Sequence, residues 1–387
     1  MAKAAASTKN LEQLLAAKEI VISCGSGGVG KTTTAAAAAA MAATHLGGKV
    51  LVLTVDPAKR LASALGLEQF GNTETQVPAS AFAAAGVEPR GELWAAMLDT
   101  KQSWDDLIRQ HAPDERTRSQ ILGNSIYQNI SGRFVQSHDY IAMERLYEIH
   151  QSGTYDLIVV DTPPTRNAID FLEAPDRMAD FFSSKLLRWL TASSKSRVMT
   201  MASKPFYTVA DRILGSQFLG DIAEFFSLFQ TMAPGFVERA DAVTRILGDH
   251  RTTFIVVSTL EAAPLHEAEF FIEALAERKL HLGALVLNKV LPAYLRTTGT
   301  STVAKRICKD AETLADAVAD AGDHDDIVRV LHTVGESFLN YQVVAKREAE
   351  QRAGLSRSPD VVAAVPYFDA DIHDLAGLLA LGEQIWR

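Results

Sequence analysis

Cysteine is nearly missing from this chain: among 387 residues only Cys24 and Cys308 occur, far apart. Such a pair excludes a disulfide framework and any CxxC metal or redox site within one chain. The ten histidines fall into no HxxxH or HExxH pattern, so no zinc is expected. Basic charge is also in short supply. With 38 lysines and arginines against 47 acids, the net charge of −9 argues against nucleic acid as a partner, because neutralising phosphates takes a dense basic surface. No run of about 18 apolar residues is present, and the alanine-rich Ala35–Ala43 stretch is a helix former rather than a membrane anchor. The start of the chain, MAKAAASTKN, lacks the apolar stretch of a secretory signal. A cytoplasmic location is expected, with at most peripheral membrane contact.

What the chain does have is core material. Hydrophobic residues make up 47% and charged residues 22%, enough for one large domain or two ordinary ones. Short β-branched apolar runs recur at Glu19–Cys24, Lys49–Asp56, Tyr155–Asp161, Thr253–Thr259, Leu282–Asn288 and Val361–Pro366, with Leu93–Leu98 a weaker seventh. Continuous apolar runs separated by helical stretches predict an α/β fold, with a mostly parallel, doubly wound sheet covered on both faces. Ligands of such sheets bind at the carboxyl ends of the strands. Two stretches, about 100–150 and 172–245, break the strand–helix rhythm and are rich in large apolar side chains. Both read as helical insertions that build a lobe within a single domain spanning residues 1–387.

Gly25-Ser26-Gly27-Gly28-Val29-Gly30-Lys31-Thr32 satisfies GxxxxGK[ST] at every fixed position, after a strand and before an alanine-rich helix. Glycines let backbone N–H groups converge on phosphates, and the helix N-terminus adds its positive dipole. Lys31 is expected at the β- and γ-phosphates and the Thr32 hydroxyl at Mg²⁺, with Thr33 completing the cradle. Asp56 and Asp161 each end an apolar run, in Asp56-Pro57-Ala58 and Asp161-Thr162-Pro163-Pro164. Carboxylates at that edge can hold the Mg²⁺ shell or orient the attacking water, the two tasks phosphoryl transfer leaves to side chains. The expected activity is hydrolysis of a nucleoside triphosphate, ATP in the first place, on a P-loop NTPase fold.

Together, Gly25–Thr32, Val55-Asp56-Pro57-Ala58 and Asp161-Thr162-Pro163-Pro164-Thr165 resemble the ArsA family of ATPases, over most of the chain and in the family's order. That family includes arsenite-pump ATPases and ATPases that deliver tail-anchored membrane proteins. The resemblance implies that Asp56 activates the hydrolytic water in switch I and that Asp161 lies near Mg²⁺ in switch II, through a water molecule. It implies that Asn288 reads the adenine edge, with Glu261 and Pro366 near the nucleotide. It also implies a twofold dimer closed by ATP, either a homodimer or a heterodimer with a paralogue.

Two departures matter. The family's first P-loop lysine, which crosses the dimer interface, is here Ser26. Arg166, Lys59 or Arg60 could replace its charge, or a lysine-bearing paralogue could complete the site. The cysteines, moreover, fit neither an arsenite site nor a shared zinc.

Between Arg177 and Ala240 the chain is dense in Phe, Met and Leu, and Lys185, Arg188, Lys195, Arg197 and Lys204 occur with no acid between Asp180 and Asp211. Such a segment is either a helical subdomain burying its own core or a surface for an apolar, helical client. On the second reading Phe225 and Phe229 line a groove. The expectation is thus a Mg-ATPase whose nucleotide state opens and closes a client lobe. The alternatives are a regulatory nucleotide-binding subunit of a heterodimer with little turnover and an arsenite-transport subunit.

Overall fold

The computed structural model describes residues 10–55, 59–67, 71–130, 137–163, 168–184, 216–318, 320, 322–354, 359–368 and 370–386. Among them, eight strands form one sheet: β1 Ile20–Cys24, β2 Lys49–Thr54, β3 Thr75–Gln76, β4 Glu92–Met97, β5 Leu157–Asp161, β6 Thr252–Ser258, β7 Leu282–Val290 and β8 Val361–Pro366. The order is β3-β4-β2-β5-β1-β6-β7-β8, and only the β3–β4 pairing is antiparallel. All seven apolar runs become strands. Residues of β1, β5 and β6 are buried throughout, which is why these strands read as unbroken apolar runs rather than as an alternation. β3 escaped notice because two residues carry no pattern.

The pleat splits the sheet's side chains between two cores. Val21, Val52, Val159 and Val257 point into one, under helices Leu11–Leu15, Lys31–His45, Ala79–Ala84 and Leu375–Trp386. Ala35–Ala43 is buried on every side, so the helix that follows the P-loop is wedged between the sheet and the C-terminal helix. Small side chains permit that approach: a Cβ at Gly382 would stand 2.3 Å from Met41 Cγ. Ile20, Ile22, Leu53, Val160 and Phe254 point into the other core, under helices Thr100–His111, Ser137–Gln151, Ala168–Ser183, Ala233–Leu247 and Ala262–Glu277.

This second core changes the expectation for the lobe. Trp104, Tyr140, Phe182, Phe225, Phe229 and Phe236 form one aromatic cluster, with Phe182 and Phe236 stacked at 4.7 Å and Phe225 and Phe229 at 5.2 Å. Phe225 and Phe229, the expected groove positions, are buried. Their rings pack on helices that themselves pack on the sheet, so apolar density here serves a core shared with it. A buried ion pair between Arg239 and Glu144 ties helix Ala233–Leu247 to Ser137–Gln151, and the Tyr140 hydroxyl donates to Glu144 Oε2 at 2.7 Å. Burial raises the Glu144 pKa although Arg239 opposes the shift. Lys185, Arg188, Lys195, Arg197 and Lys204 lie outside the described residues.

One helical excursion had no counterpart in the sequence reading. Helices Thr298–Lys309, Ala311–Ala317 and His324–Gly354 separate β7 from β8. No helix among the described residues is long and apolar enough to cross a membrane.

Candidate functional site

Where β1 ends, the chain must turn sharply beside β6. A Cβ at Gly25 would stand 2.1 Å from the Val257 carbonyl oxygen, so only glycine fits there. The turn ends at Gly30, whose φ of +96° opens helix Lys31–His45. First-turn N–H groups have no partner within their own helix, and with the helix dipole they make such a loop an anion site. Lys31 is only 6% exposed, and its Nζ donates to the Ser26 carbonyl at 3.1 Å, folding the ammonium back over the loop.

Asp161 is the hub on the neighbouring strand. Sheet register sets it beside Ser23 of β1 and Thr54 of β2, fully buried. Its Oδ2 accepts from Thr32 Oγ1 at 2.6 Å and from Thr54 Oγ1 at 3.0 Å. Thr162 Oγ1 donates to the Ser23 carbonyl at 2.8 Å and fixes the chain that follows. A carboxylate and a threonine hydroxyl in contact are hard oxygen donors, the set that suits Mg²⁺ shared with phosphates. Ser26 Oγ and Thr259 Oγ1 are shielded from solvent and have no hydrogen-bond partner among the described residues. The glycine turn, the buried ammonium and this spare polar capacity fit a Mg-nucleotide.

The described chain stops at Val55, whose N–H donates to the Asp161 carbonyl at 3.1 Å; Asp56 and Arg166 lie outside the described residues, as do the side chains of Lys59 and Arg60. Asn288 does reach the P-loop, but its amide is engaged with the backbone: Nδ2 donates to the Val29 carbonyl at 2.8 Å. Glu261 is an exposed residue preceding helix Ala262–Glu277, after β6, and Pro366 ends β8 beside Val290. Both stand at the carboxyl edge of the sheet. Cys24 is buried, and burial pushes its thiol up to about 12, as befits a small core side chain rather than a thiolate ligand.

Sequence reasoning missed two contributors, Thr54 and Lys289. Lys289 Nζ donates to the Gly28 carbonyl at 3.2 Å. Its place next to Asn288 was the available signal, a lysine at the carboxyl end of a strand beside a P-loop.

The family model described as "Anion-transporting ATPase" matches residues 18–320. An "ATPase ASNA1 homolog" of Entamoeba dispar is 24% identical over 290 residues, which span 73% of this chain and 80% of that protein. An "ATPase get3" of Pyrenophora tritici-repentis is 25% identical over 270 residues, 69% of this chain and 72% of its own. An "ATPase ASNA1 homolog 1" of Paramecium tetraurelia is 25% identical over 274 residues, 69% of this chain and 73% of its own.

Proposed function

The chain belongs to the anion-transporting ATPase family and is an ATPase, and from that premise we propose that it works as a cytoplasmic, dimeric, Mg-dependent ATPase whose nucleotide state controls an apolar client surface. The observation that carries the reading is the contact of Thr32 with Asp161 beside the buried Lys31. In this reading residues Gly25 to Thr33 cradle the phosphates, and Lys31 neutralises charge that the backbone amides cannot offset alone. Thr32 and Asp161 would hold Mg²⁺, Asp161 by way of a water molecule, and the ion would supply positive charge against the phosphates. Asp56 orients and deprotonates the attacking water. Glu261 and Pro366 border the adenine side.

Delivery of tail-anchored proteins fits this design, with hydrolysis as a conformational timer. Because Phe225 and Phe229 are buried in the single chain, these two would meet a client only if the ATP-bound dimer exposes them. An arsenite-transport role is disfavoured by the two cysteines, one of them buried with a raised pKa. Ser26 supports a second reading, a heterodimer subunit with little turnover of its own.

Asp56→Asn is the experiment. The variant is expected to bind ATP as the wild type does while phosphate release falls about a hundredfold, the range for a positioned acid–base group. The closed dimer then outlives ATP addition. Sedimentation should report ATP-dependent association, and an environment-sensitive apolar dye should brighten with it and be displaced by a hydrophobic helical peptide. Unchanged turnover removes Asp56 from the chemistry. A dye that never responds to nucleotide removes the client. A wild type that binds ATP without releasing phosphate favours the regulatory subunit.

A further inference from the structure

Helix His324–Gly354 is 31 residues long, over twice the usual length, and it carries two faces with apolar side chains. One face is already used. Leu331, Gly335, Phe338, Gln342 and Ala345 recur in alternating steps of four and three, and Gly335, Gln342 and Ala345 are buried. This face packs on helix Thr298–Lys309 and the turn before it. A Cβ at Gly335 would stand 2.3 Å from Cys308 Sγ, and Gln342 Nε2 donates to the Leu295 carbonyl at 3.0 Å. The second face runs beside the first. Ile327, Val330, Val334, Ser337, Tyr341 and Val344 alternate in steps of three and four, and Val330, Val334 and Tyr341 are each more than half exposed. Single exposed apolar residues are ordinary. A narrow stripe that keeps a period of 3.5 over about five helical turns is instead the seam of a two-stranded coiled coil.

The charges beside the seam select its occupant. Asp323, Asp325 and Asp326 crowd the start of the helix, whereas Lys346, Arg347 and Arg352 lie near its end. Glu348, an acid among those cations, is engaged by the Leu291 N–H at 3.0 Å. An antiparallel second copy therefore meets opposite charge at both ends, and the two helix dipoles oppose each other as well. One register is self-complementary. It sets Ile327 against Val344 of the second copy, Val330 against Tyr341 and Val334 against Ser337, so that every seam residue meets another across a twofold axis. The same register brings Asp326, on the flank, to Arg347 of the second copy. Asp326 holds only the exposed Arg329 of its own helix, at 2.6 Å, and a second cation can share it. We propose that helix His324–Gly354 pairs with its counterpart in a second copy of this chain as a short antiparallel coiled coil that forms without nucleotide. Six seam positions make a small contact, weak by itself, to which closure by ATP adds.

Sedimentation equilibrium of the full chain in chelator, without nucleotide and up to about 100 µM, should show monomer and dimer in exchange. Val334→Asp should weaken the dimer about a hundredfold, because the twofold axis buries the new charge in both copies. Circular dichroism should not change, since Val334 is exposed in the single chain. Asp326→Arg and Arg347→Asp should each weaken association about tenfold, as each puts like charges together twice. The chain that carries both reversals should associate like the wild type, a rescue that only the antiparallel pairing of two copies predicts. A monomer at every concentration would overturn the proposal, and so would association that needs ATP or a different chain. Single reversals without effect, or a double reversal without rescue, would overturn it too. Because no nucleotide is present, none of these outcomes bears on the ATPase reading, which Asp56→Asn tests separately.

Discussion

Lys31→Ala is expected to abolish ATP binding at millimolar nucleotide. Lys31 as a residue is 6% exposed, so it is not a solvated surface side chain whose loss water would mask. Opposite unit charges about 4 Å apart attract by about 4 kcal/mol at the effective dielectric of a protein site. That corresponds to a loss of about a thousandfold in affinity. Backbone amides of the loop remain, but they carry partial charges only. The readout is thermal: saturating ATP stabilises a binding-competent chain by about 2.7 kcal/mol at a hundred times its Kd, and this gain should vanish in the variant. An ATP-induced shift in melting temperature equal to the wild type's would show that Lys31 does not meet the phosphates.

Why the loop was legible while its contacts with Asn288 and Lys289 were not follows from how each is encoded. Gly25, Gly30, Lys31 and Thr32 are needed for their own chemistry, at spacings the turn and the first helical turn dictate, so the site is written contiguously. The strands were legible for a similar reason, since burial on both faces leaves β-branched runs with no polar interruption. Those contacts depend on a bulge, and neither the extra step between Leu287 and Val290 nor a lysine at φ +57° has a residue signature. The run therefore seemed to stop at Asn288, two residues short of the end of β7. Phe225 and Phe229 were undecided in the sequence for another reason. A groove and a core call for the same side chains, and only the positions of Trp104, Tyr127 and Phe182 decide that these two are enclosed in the single chain. Likewise, Glu144 and Arg239 sit 95 positions apart, counted from their numbers, and look like solvated charges until the helices bring them together.

Asp161→Asn separates the metal's role from the phosphate loop's. Thr32 and Thr54 both donate to Oδ2, so an amide oxygen placed there keeps both hydrogen bonds and removes the negative charge alone. The fold should survive, because a fully buried carboxylate is replaced by a neutral group of the same shape. The consequences have opposite signs with and without metal. In chelator, the Asp161 carboxylate repels the nucleotide's phosphates, and at about 6 Å the interaction is about 3 kcal/mol per charge pair before solvent screening. Metal-free ATP should therefore bind the variant more tightly, by about tenfold once screening is allowed for. With Mg²⁺, the same change removes the charge that stabilises the ion beside Thr32, and phosphate release should drop about a hundredfold or more. Titration calorimetry in chelator and phosphate release in Mg²⁺ measure the two sides separately. Tighter metal-free binding with unimpaired turnover would move the ion away from Asp161. Weaker metal-free binding would mean that the carboxylate supports the loop through its threonine contacts, and its charge would then be incidental.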